Sequence, residues 1–403
     1  MTKTGLDYLL SPQAVRSSCL KIFEAAMNGG THFSINLEKL PDLADLTIKQ
    51  IRENYPDMNV PFHSRMRHLT VGGVDRVQNF ISFQGQLDHK EKARKLIDLM
   101  VVSVLLDAGA GKEWSYFEES TDQTWARSEG LAVASFHMFE QGLFSMEYRA
   151  EVNSEALIRL PEDSLGHGFQ VSQKNPITGL KGRTQLLNNL GKTLQSKAKF
   201  FPGERPGGLV DYIVEQFGSS ISAPDLLHVV LLAFGDIWPG RHTFDQESIG
   251  DAWPHSALAA ESQPAHRFVV FHKLSQWLTY SLMEPLNEAG IEITNIDDMT
   301  GLAEYRNGGL FLDGGVIQLR NPELVEKGHK LDSELIIEWR ALTVTLLDSI
   351  AQIIRQKLNE NSESMPLVKI LEGGTWWTGR RLANELREGG VPPLKLISDA
   401  TIF

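Results

Sequence analysis

Cysteine is nearly missing from this chain: Cys19 stands alone among 403 residues. A single thiol closes no intrachain disulfide and assembles no thiolate zinc site, so packing has to carry the fold, and the usage fits a reducing, cytoplasmic compartment. Long hydrophobic runs are missing too. The longest, Leu96 to Leu106, is broken by Asp98 and Ser103 and is roughly half of the ~20 residues a membrane span needs. No basic run leads into an apolar stretch at the N-terminus, so neither a signal peptide nor a membrane partner is expected. Positive charge is in deficit, with 39 Lys+Arg against 51 Asp+Glu and a formal charge of -12. That balance repels phosphate backbones and anionic lipids at long range, which argues against bulk nucleic acid and leaves room for a small anionic metabolite in a local basic pocket.

Catalytic signatures are equally sparse. The twelve histidines hold no His-x-x-x-His pair, and no acidic loop has calcium-ligand spacing. There is no Gly-x-Ser-x-Gly elbow, no Gly-x-x-x-x-Gly-Lys-Ser/Thr loop and no Rossmann glycine pattern after a strand. His242 and His255 with Asp236, Asp245 and Asp251 come nearest to a metal cluster, but their clustering is weak; no metal and no cofactor are expected. A repeat with a period of about 20 to 50 residues is absent, which argues against a solenoid.

What is present is helix. Apolar content of 42% against 22% charged suffices for a large core. Ser11 and Pro12 followed by Val15, Cys19, Ile22, Phe23 and Ala26 combine a cap, a proline at the first helical position and a core stripe, closed by Gly29-Gly30. Further helices are predicted over 43–55, 88–107, 128–143, 179–194, 206–217, 222–234, 268–286 and 333–358. Strand-like alternation is scarce; Leu310, Leu312, Val316 and Ile317 around Gly314-Gly315 predict a small β hairpin over 309–319. The expected fold is mainly α, a compact multi-helix body in one domain over 1–403. If it divides into two subdomains, 1–150 and 177–403, the irregular segment 151–176 is the joint.

Charged clusters are where a site is to be sought, because a carboxylate or ammonium taken out of water costs several kcal/mol unless paired. Arg65, Arg67 and Arg76, with His63 and His68, surround the Gly72-Gly73 turn. Guanidinium forks bind phosphate or carboxylate bidentately; the plainer alternative is a solvated turn whose arginines pair with surface acids. Asp236 and Trp238 open a polar loop to His255, either a pocket rim or a structural corner. From Phe271 to Arg340 ionisable groups recur among large apolar ones. Lys273 and Gln276 share one helix, Glu304, Tyr305 and Arg306 follow Thr300, and Asp313 lies further along. The last helix carries Glu334, Glu338 and Arg340, with the two glutamates on one face by their spacing of four. Arg340 there either contacts substrate or neutralises Glu338.

The runs 300–311, 332–347 and 371–380, together with Arg65-Met66-Arg67-His68, the segment 72–76 and the terminal 398–403, closely resemble the uracil-catabolism protein family of fungi and bacteria, long carried as a domain of unknown function. The resemblance covers essentially the whole chain. It implies a place in a pathway in which the uracil ring is opened and a ribosylated urea is a proposed intermediate. A more distant likeness concerns mechanism. Phe-x-Lys-x-x-Gln at Lys273 and Gln276, Thr300 with Glu304, Tyr305 and Arg306, and Glu338 with Arg340 and Ala341 are similar in order to the queuosine-salvage nucleotide glycosylases, whose helical body is related to helix-hairpin-helix glycosylases. Two departures stand out: Glu304 replaces an Asp, and His272 stands where the relatives have an acid.

N-ribosidic cleavage needs a carboxylate beside the sugar cation and a proton for the leaving nitrogen. The resemblance therefore implies Glu304 as the carboxylate, kept ionised by Lys273 and Arg306, with His272 or Glu338 as proton donor. Tyr305, Arg306, Gln276 and Arg340, with Asp313 and with Asp236 and Trp238 of the polar loop, are the candidate substrate contacts, and Arg65, Arg67 and Arg76 would suit a phosphate. The expected activity is hydrolysis of a ribosylurea-type nucleoside or its 5'-phosphate. An amidohydrolase-type step on the ring-opened pyrimidine, or a non-catalytic helical partner in the same pathway, are the alternatives. Oligomeric state has no signature in the sequence.

Overall fold

The computed structural model describes residues 5–107, 109–238 and 242–397; the terminal 398–403 that carries part of the family resemblance, and residues 239–241 of the Asp236 loop, lie outside the described residues. The fold is mainly α, and its helices start where the caps stand. Ser11 accepts from Ala14 N at the head of Pro12–Met27, Asp88 from Glu91 N at His89–Leu105, and Ser222 from Asp225 N at Ala223–Phe234. Leu40–Asn54, Arg127–Glu140, Leu180–Ser196, Leu209–Phe217, Lys273–Glu288 and Glu334–Leu358 complete the expected set.

Two expectations are corrected. The segment 309–319 is not a hairpin: Leu310 and Leu312 belong to the helix Tyr305–Asp313, and Ile317–Leu319 pairs antiparallel with the distant Phe33–Ile35. The glycine pair ends a helix; it does not turn one strand back on another. Likewise Phe268–Val270 does not begin the Lys273 helix but forms a strand antiparallel to Ala252–Pro254. His272, with a φ of 49°, then turns the chain into the helix. A side chain in the left-handed region costs on the order of 1–3 kcal/mol, so the surroundings must hold it there.

Contacts divide the described chain into two units, one built from residues 5–63, 242–276 and 295–397, the other from 64–107, 109–238 and 277–294. Residues 151–176 lie inside the second unit, where they form the helices Ser154–Arg159 and Glu162–Gly168. The first unit is organised around Glu334–Leu358, which packs against both Pro12–Met27 and Leu40–Asn54. Leu335, Ile336, Trp339, Leu342, Leu346, Ile350 and Ile354 are buried along it. Each such side chain contributes roughly 1.5–3 kcal/mol, so this helix can also hold the buried charges it carries. In the second unit, Leu96 to Leu105 is buried without a break, as its apolar run requires, and Ser220–Ser222 pairs parallel with Glu292–Thr294. Among the described residues no helix is long and apolar enough to cross a membrane.

Candidate active site

Asp251 is the hub of the first unit's buried polar structure. Only 9% exposed, it takes Arg340 in a fork, Nη1 to Oδ1 at 2.9 Å and Nη2 to Oδ2 at 2.6 Å. Trp253 Nε1 donates to Oδ1 at 2.8 Å and the Lys273 amide to Oδ2 at 3.1 Å. Burial alone would raise this carboxyl; the Arg340 charge, helped by those donors, instead holds it well below the usual carboxylate range. Arg340 lies 4.0 Å over the Phe271 ring and sends Nε to the Ala303 carbonyl at 3.4 Å. One ion pair thus ties the strand at Ala252–Pro254, the first turn of the Lys273 helix and the loop before Glu304.

The same two segments are joined a second time by Gln276. Its Oε1 accepts from the Thr300 amide at 3.2 Å and the Thr300 hydroxyl at 2.9 Å, while its Nε2 donates to the Phe271 carbonyl at 2.9 Å. The loop ends on Glu304, whose carboxylate caps Tyr305–Asp313, accepting from Arg306 N at 2.7 Å and Asn307 N at 2.6 Å. The glutamate side chain reaches both amides, one with each carboxylate oxygen. Gly308 lets the Trp339 indole lie against this helix: an added Cβ would meet the indole at 2.8 Å, and Trp339 Nε1 donates to the Gly308 carbonyl at 3.0 Å. Arg306 is 6% exposed, its guanidinium 5.3 Å from the Tyr305 ring and 4.8 Å from the Trp376 ring.

Lys273, Gln276, Glu304, Tyr305, Arg306 and Arg340 therefore sit on segments that the structure binds together. His272 joins them with a different character. It is buried, donating Nε2–H to the Leu9 carbonyl at 2.7 Å, which leaves its enclosed Nδ1 as a lone pair without a hydrogen-bond partner. Burial lowers its pKa by more than the Leu9 carbonyl and Asp251 raise it. A neutral imidazole with its proton fixed on a carbonyl suits a positioning role better than proton donation.

Glu338 goes elsewhere. Residues two apart face different sides of a helix, so it does not pair with Arg340, contrary to one of the two expectations for that arginine. Its Oε2 accepts from His32 N at 2.8 Å and His32 Nδ1 at 2.9 Å, and His255 Nε2 stands 3.5 Å from Oε1. His32, Glu334 and Glu338, with Arg320 and Asn321, line a separate cavity of about 300 Å³.

The remaining candidates have internal partners. Asp313 forks with Arg387 at 2.8 and 2.5 Å. In the second unit Asp236 pairs with Lys197 at 2.9 Å, and Trp238 borders the undescribed 239–241. Arg65 meets Asp107 at 3.0 Å and Ser103 at 2.8 Å, Arg67 reaches both Glu284 oxygens from Nη2 alone at 2.8 and 2.6 Å, and Arg76 forks onto Glu118 at 2.7 and 2.5 Å. Each of the three is already neutralised by its own carboxylate. Among the described residues no three His, Cys, Asp or Glu side chains converge on a metal-binding point.

Three features of the site have only weak signals in the sequence. Asp251 stands out there only as one of a loose set of metal-type residues in the polar loop to His255. Trp376 lies within the family segment 371–380 with nothing to assign it a role. His63 and Glu372 form a buried pair at 2.7 Å, joined by Tyr55 at 3.1 Å, on a π-helical turn over Leu371–Thr375; the Gly373-Gly374 pair was the available signal, and such turns are frequent at functional sites.

Residues 8–403 match the family described as protein of unknown function, DUF1688. Uracil catabolism protein 4 of Lachancea kluyveri is 38% identical over 436 residues, spanning 99% of each chain. Protein urg3 of Schizosaccharomyces pombe is 37% identical over 415 residues, spanning 100% of each. With the family matched from near the first residue to the last and two relatives aligned end to end, the chain belongs to the DUF1688 family.

Proposed function

We propose that this chain acts in uracil catabolism as a hydrolase that cleaves the N-ribosidic bond of a ribosylurea-type nucleoside or its 5'-phosphate. The pathway follows from the name of the Lachancea relative, and the chemistry from the likeness to nucleotide glycosylases. The observation that carries it is the carboxylate of Glu304, locked by two backbone amides at the end of a loop that Gln276 and Arg340 bind to the first turn of the Lys273 helix. In the reaction the bond from C1' to nitrogen breaks, its electron pair leaves with the urea nitrogen, and water adds its hydroxyl to C1' and its proton to the departing nitrogen. A carboxylate fixed beforehand stabilises the sugar cation without reorganising during the reaction. Its remaining lone pairs can accept the water proton. Lys273, its amide pinned by Asp251, passes a proton to the urea nitrogen and regains the one that Glu304 took from water.

The cavity holding the His32–Glu338 pair favours a second reading, amide hydrolysis of a ring-opened pyrimidine with the imidazole activating water. One experiment separates them. Purified protein is given ribosylurea, its 5'-phosphate and ureidoacrylate, and urea, sugar and ammonia are measured. Equal release of urea and sugar from a ribosyl substrate supports the N-glycosidase; urea without matching sugar, or turnover of ureidoacrylate alone, overturns it.

A further inference from the structure

The other buried cations in this protein have oxygens of their own: Arg65 has Asp107, Arg76 has Glu118 and Arg340 has Asp251, while Arg183 and Lys95 donate to backbone carbonyls. Arg306 departs from the pattern. With only 6% of its surface exposed, its guanidinium has no hydrogen bond and no ion pair among the described residues, only the faces of Tyr305 and Trp376. Stacking on rings recovers part of the cost of desolvating a cation but does not satisfy its five N–H donors. Nor is the head sealed in. Arg65 Nη2 and Arg67 Nε are enclosed atoms without partners, whereas no Arg306 nitrogen is enclosed in that way, so the fork keeps access to solvent.

The side chain is also held in place. The Glu304 carboxylate fixes the Arg306 amide, and the helix Trp376–Leu386 crosses so closely that a Cβ added at Gly379 would run into the Arg306 carbonyl. That crossing brings the Trp376 ring over the guanidinium. A rigid, stacked, solvent-reachable fork without its own anion matches the requirements of an oxyanion receptor.

We propose that Arg306 is the anion-reading residue of this chain and that its ligand is the 5'-phosphate of a ribosyl substrate, so that the substrate is the nucleotide-like ester and not the free nucleoside. The choice of phosphate rests on the reading of Glu304 as the carboxylate at the anomeric carbon; the oxyanion site itself does not. Residues two positions apart have Cα atoms at most ~7 Å apart. A pentose 5-phosphate sets its anomeric carbon and its dianion about one ring apart, which suits Glu304 and Arg306 together. A ring-opened pyrimidine carries a carboxylate but no sugar for Glu304.

The test uses the full chain, wild type, Arg306→Gln and Arg306→Lys. Urea release is measured from ribosylurea and its 5'-phosphate, and thermal stability is measured with inorganic phosphate and with malonate. The wild type is expected to favour the phosphate ester by at least ~100-fold in kcat/KM, and Arg306→Gln to reduce that preference by at least ~30-fold, with Arg306→Lys between, as expected when one charged fork is lost at tenfold per 1.4 kcal/mol. Phosphate should raise the melting temperature of the wild type and not of Arg306→Gln. An unchanged preference in Arg306→Gln, or equal protection of both proteins by phosphate, overturns the proposal. Stronger protection by malonate overturns the phosphate assignment. If neither substrate releases urea while Arg306→Gln still abolishes phosphate protection, the glycosidase reading fails and the anion site stands. Should Arg306→Gln not fold, the wild-type titrations and Arg306→Lys decide, since no phosphate protection of the wild type is refutation enough.

Discussion

Removing the charge of Asp251 tests whether one ion pair organises the candidate site. Asp251→Asn takes away almost no volume but leaves Arg340, 1% exposed, as a buried cation facing a neutral amide. Breaking such a pair on one side costs about 3–5 kcal/mol. The retained amide oxygen keeps either the Trp253 or the Lys273 donor, which points to the lower part of that range. In a folding unit of about 150–250 residues each kcal/mol moves the melting temperature by ~2–4 °C, so calorimetry at neutral pH should find a fall of roughly 6–20 °C. The pH dependence has a definite sign. The folded Asp251 carboxyl lies below its unfolded value of about 3.9, so its contribution is fully present above that pH and is lost as pH falls through the folded value. The gap between wild type and variant should hold constant from neutral pH down to about pH 4 and narrow only in stronger acid. Replacing both partners, Asp251→Leu with Arg340→Met, should recover most of the loss, because apolar groups in place of a buried pair are often neutral or stabilising. A fall below ~3 °C, a gap that closes between pH 7 and pH 5, or a double variant no better than Asp251→Leu alone would refute the reasoning.

Three further outcomes are expected. Glu304→Gln should lose activity by ~10²–10⁴ in kcat, while its melting point falls only by the few degrees that a weakened helix cap of about 0.5–2 kcal/mol allows; wild-type turnover in the assay for urea would show that another carboxylate serves. Arg76→Gln strands Glu118 and should cost about 3–5 kcal/mol in guanidinium denaturation, yet leave the preference for a phosphorylated substrate as in the wild type; a lost preference would return Arg76 to the phosphate site. For His137, burial pulls the pKa down but bonds to Glu140 and Glu118 outweigh it, so the folded value is raised. The stability it contributes is present below about 6.5 and lost as pH rises through the folded value, and His137→Gln should abolish that alkaline loss in thermal melts between pH 6 and 9.

The helices were legible because their causes are local: a cap, a proline at the first position and a 3.6-residue stripe all lie within a few residues of one another, as at Ser11, Pro12 and Val15. The misread hairpin had a local signal too, Gly314-Gly315 between apolar residues, but the competing signal came from Glu304 acting as a cap, and glutamate is not among the residues that announce one. At the site, Lys273, Gln276, Glu304 and Arg340 were visible as polar groups set in apolar sequence. Their partners were not, because pairing is decided in three dimensions. Arg340 has a glutamate two residues away and binds an aspartate 89 residues away.

The arginines carry this point furthest. Arg65, Arg67 and Arg76 stood out as a cluster, but closeness in sequence says how many cations lie in one stretch and nothing about the acids that fold against them. Arg76 meets Glu118 from 42 residues away and Arg67 meets Glu284 from 217. In an interior of low polarity a guanidinium without partners is costly, so a stable chain brings a carboxylate, or carbonyl oxygens as at Arg183, to nearly every one it buries. A ligand-binding arginine is then recognised by the missing partner. Among these residues that property belongs to Arg306, which in the sequence is one candidate substrate contact among several in a Glu-Tyr-Arg turn, and its two stacking rings come from Tyr305 beside it and from Trp376 on a separate helix. The stacking explains how the cation tolerates burial before a ligand arrives, and the open fork explains why a ligand's oxyanion, once there, would bind without displacing a partner of the protein's own.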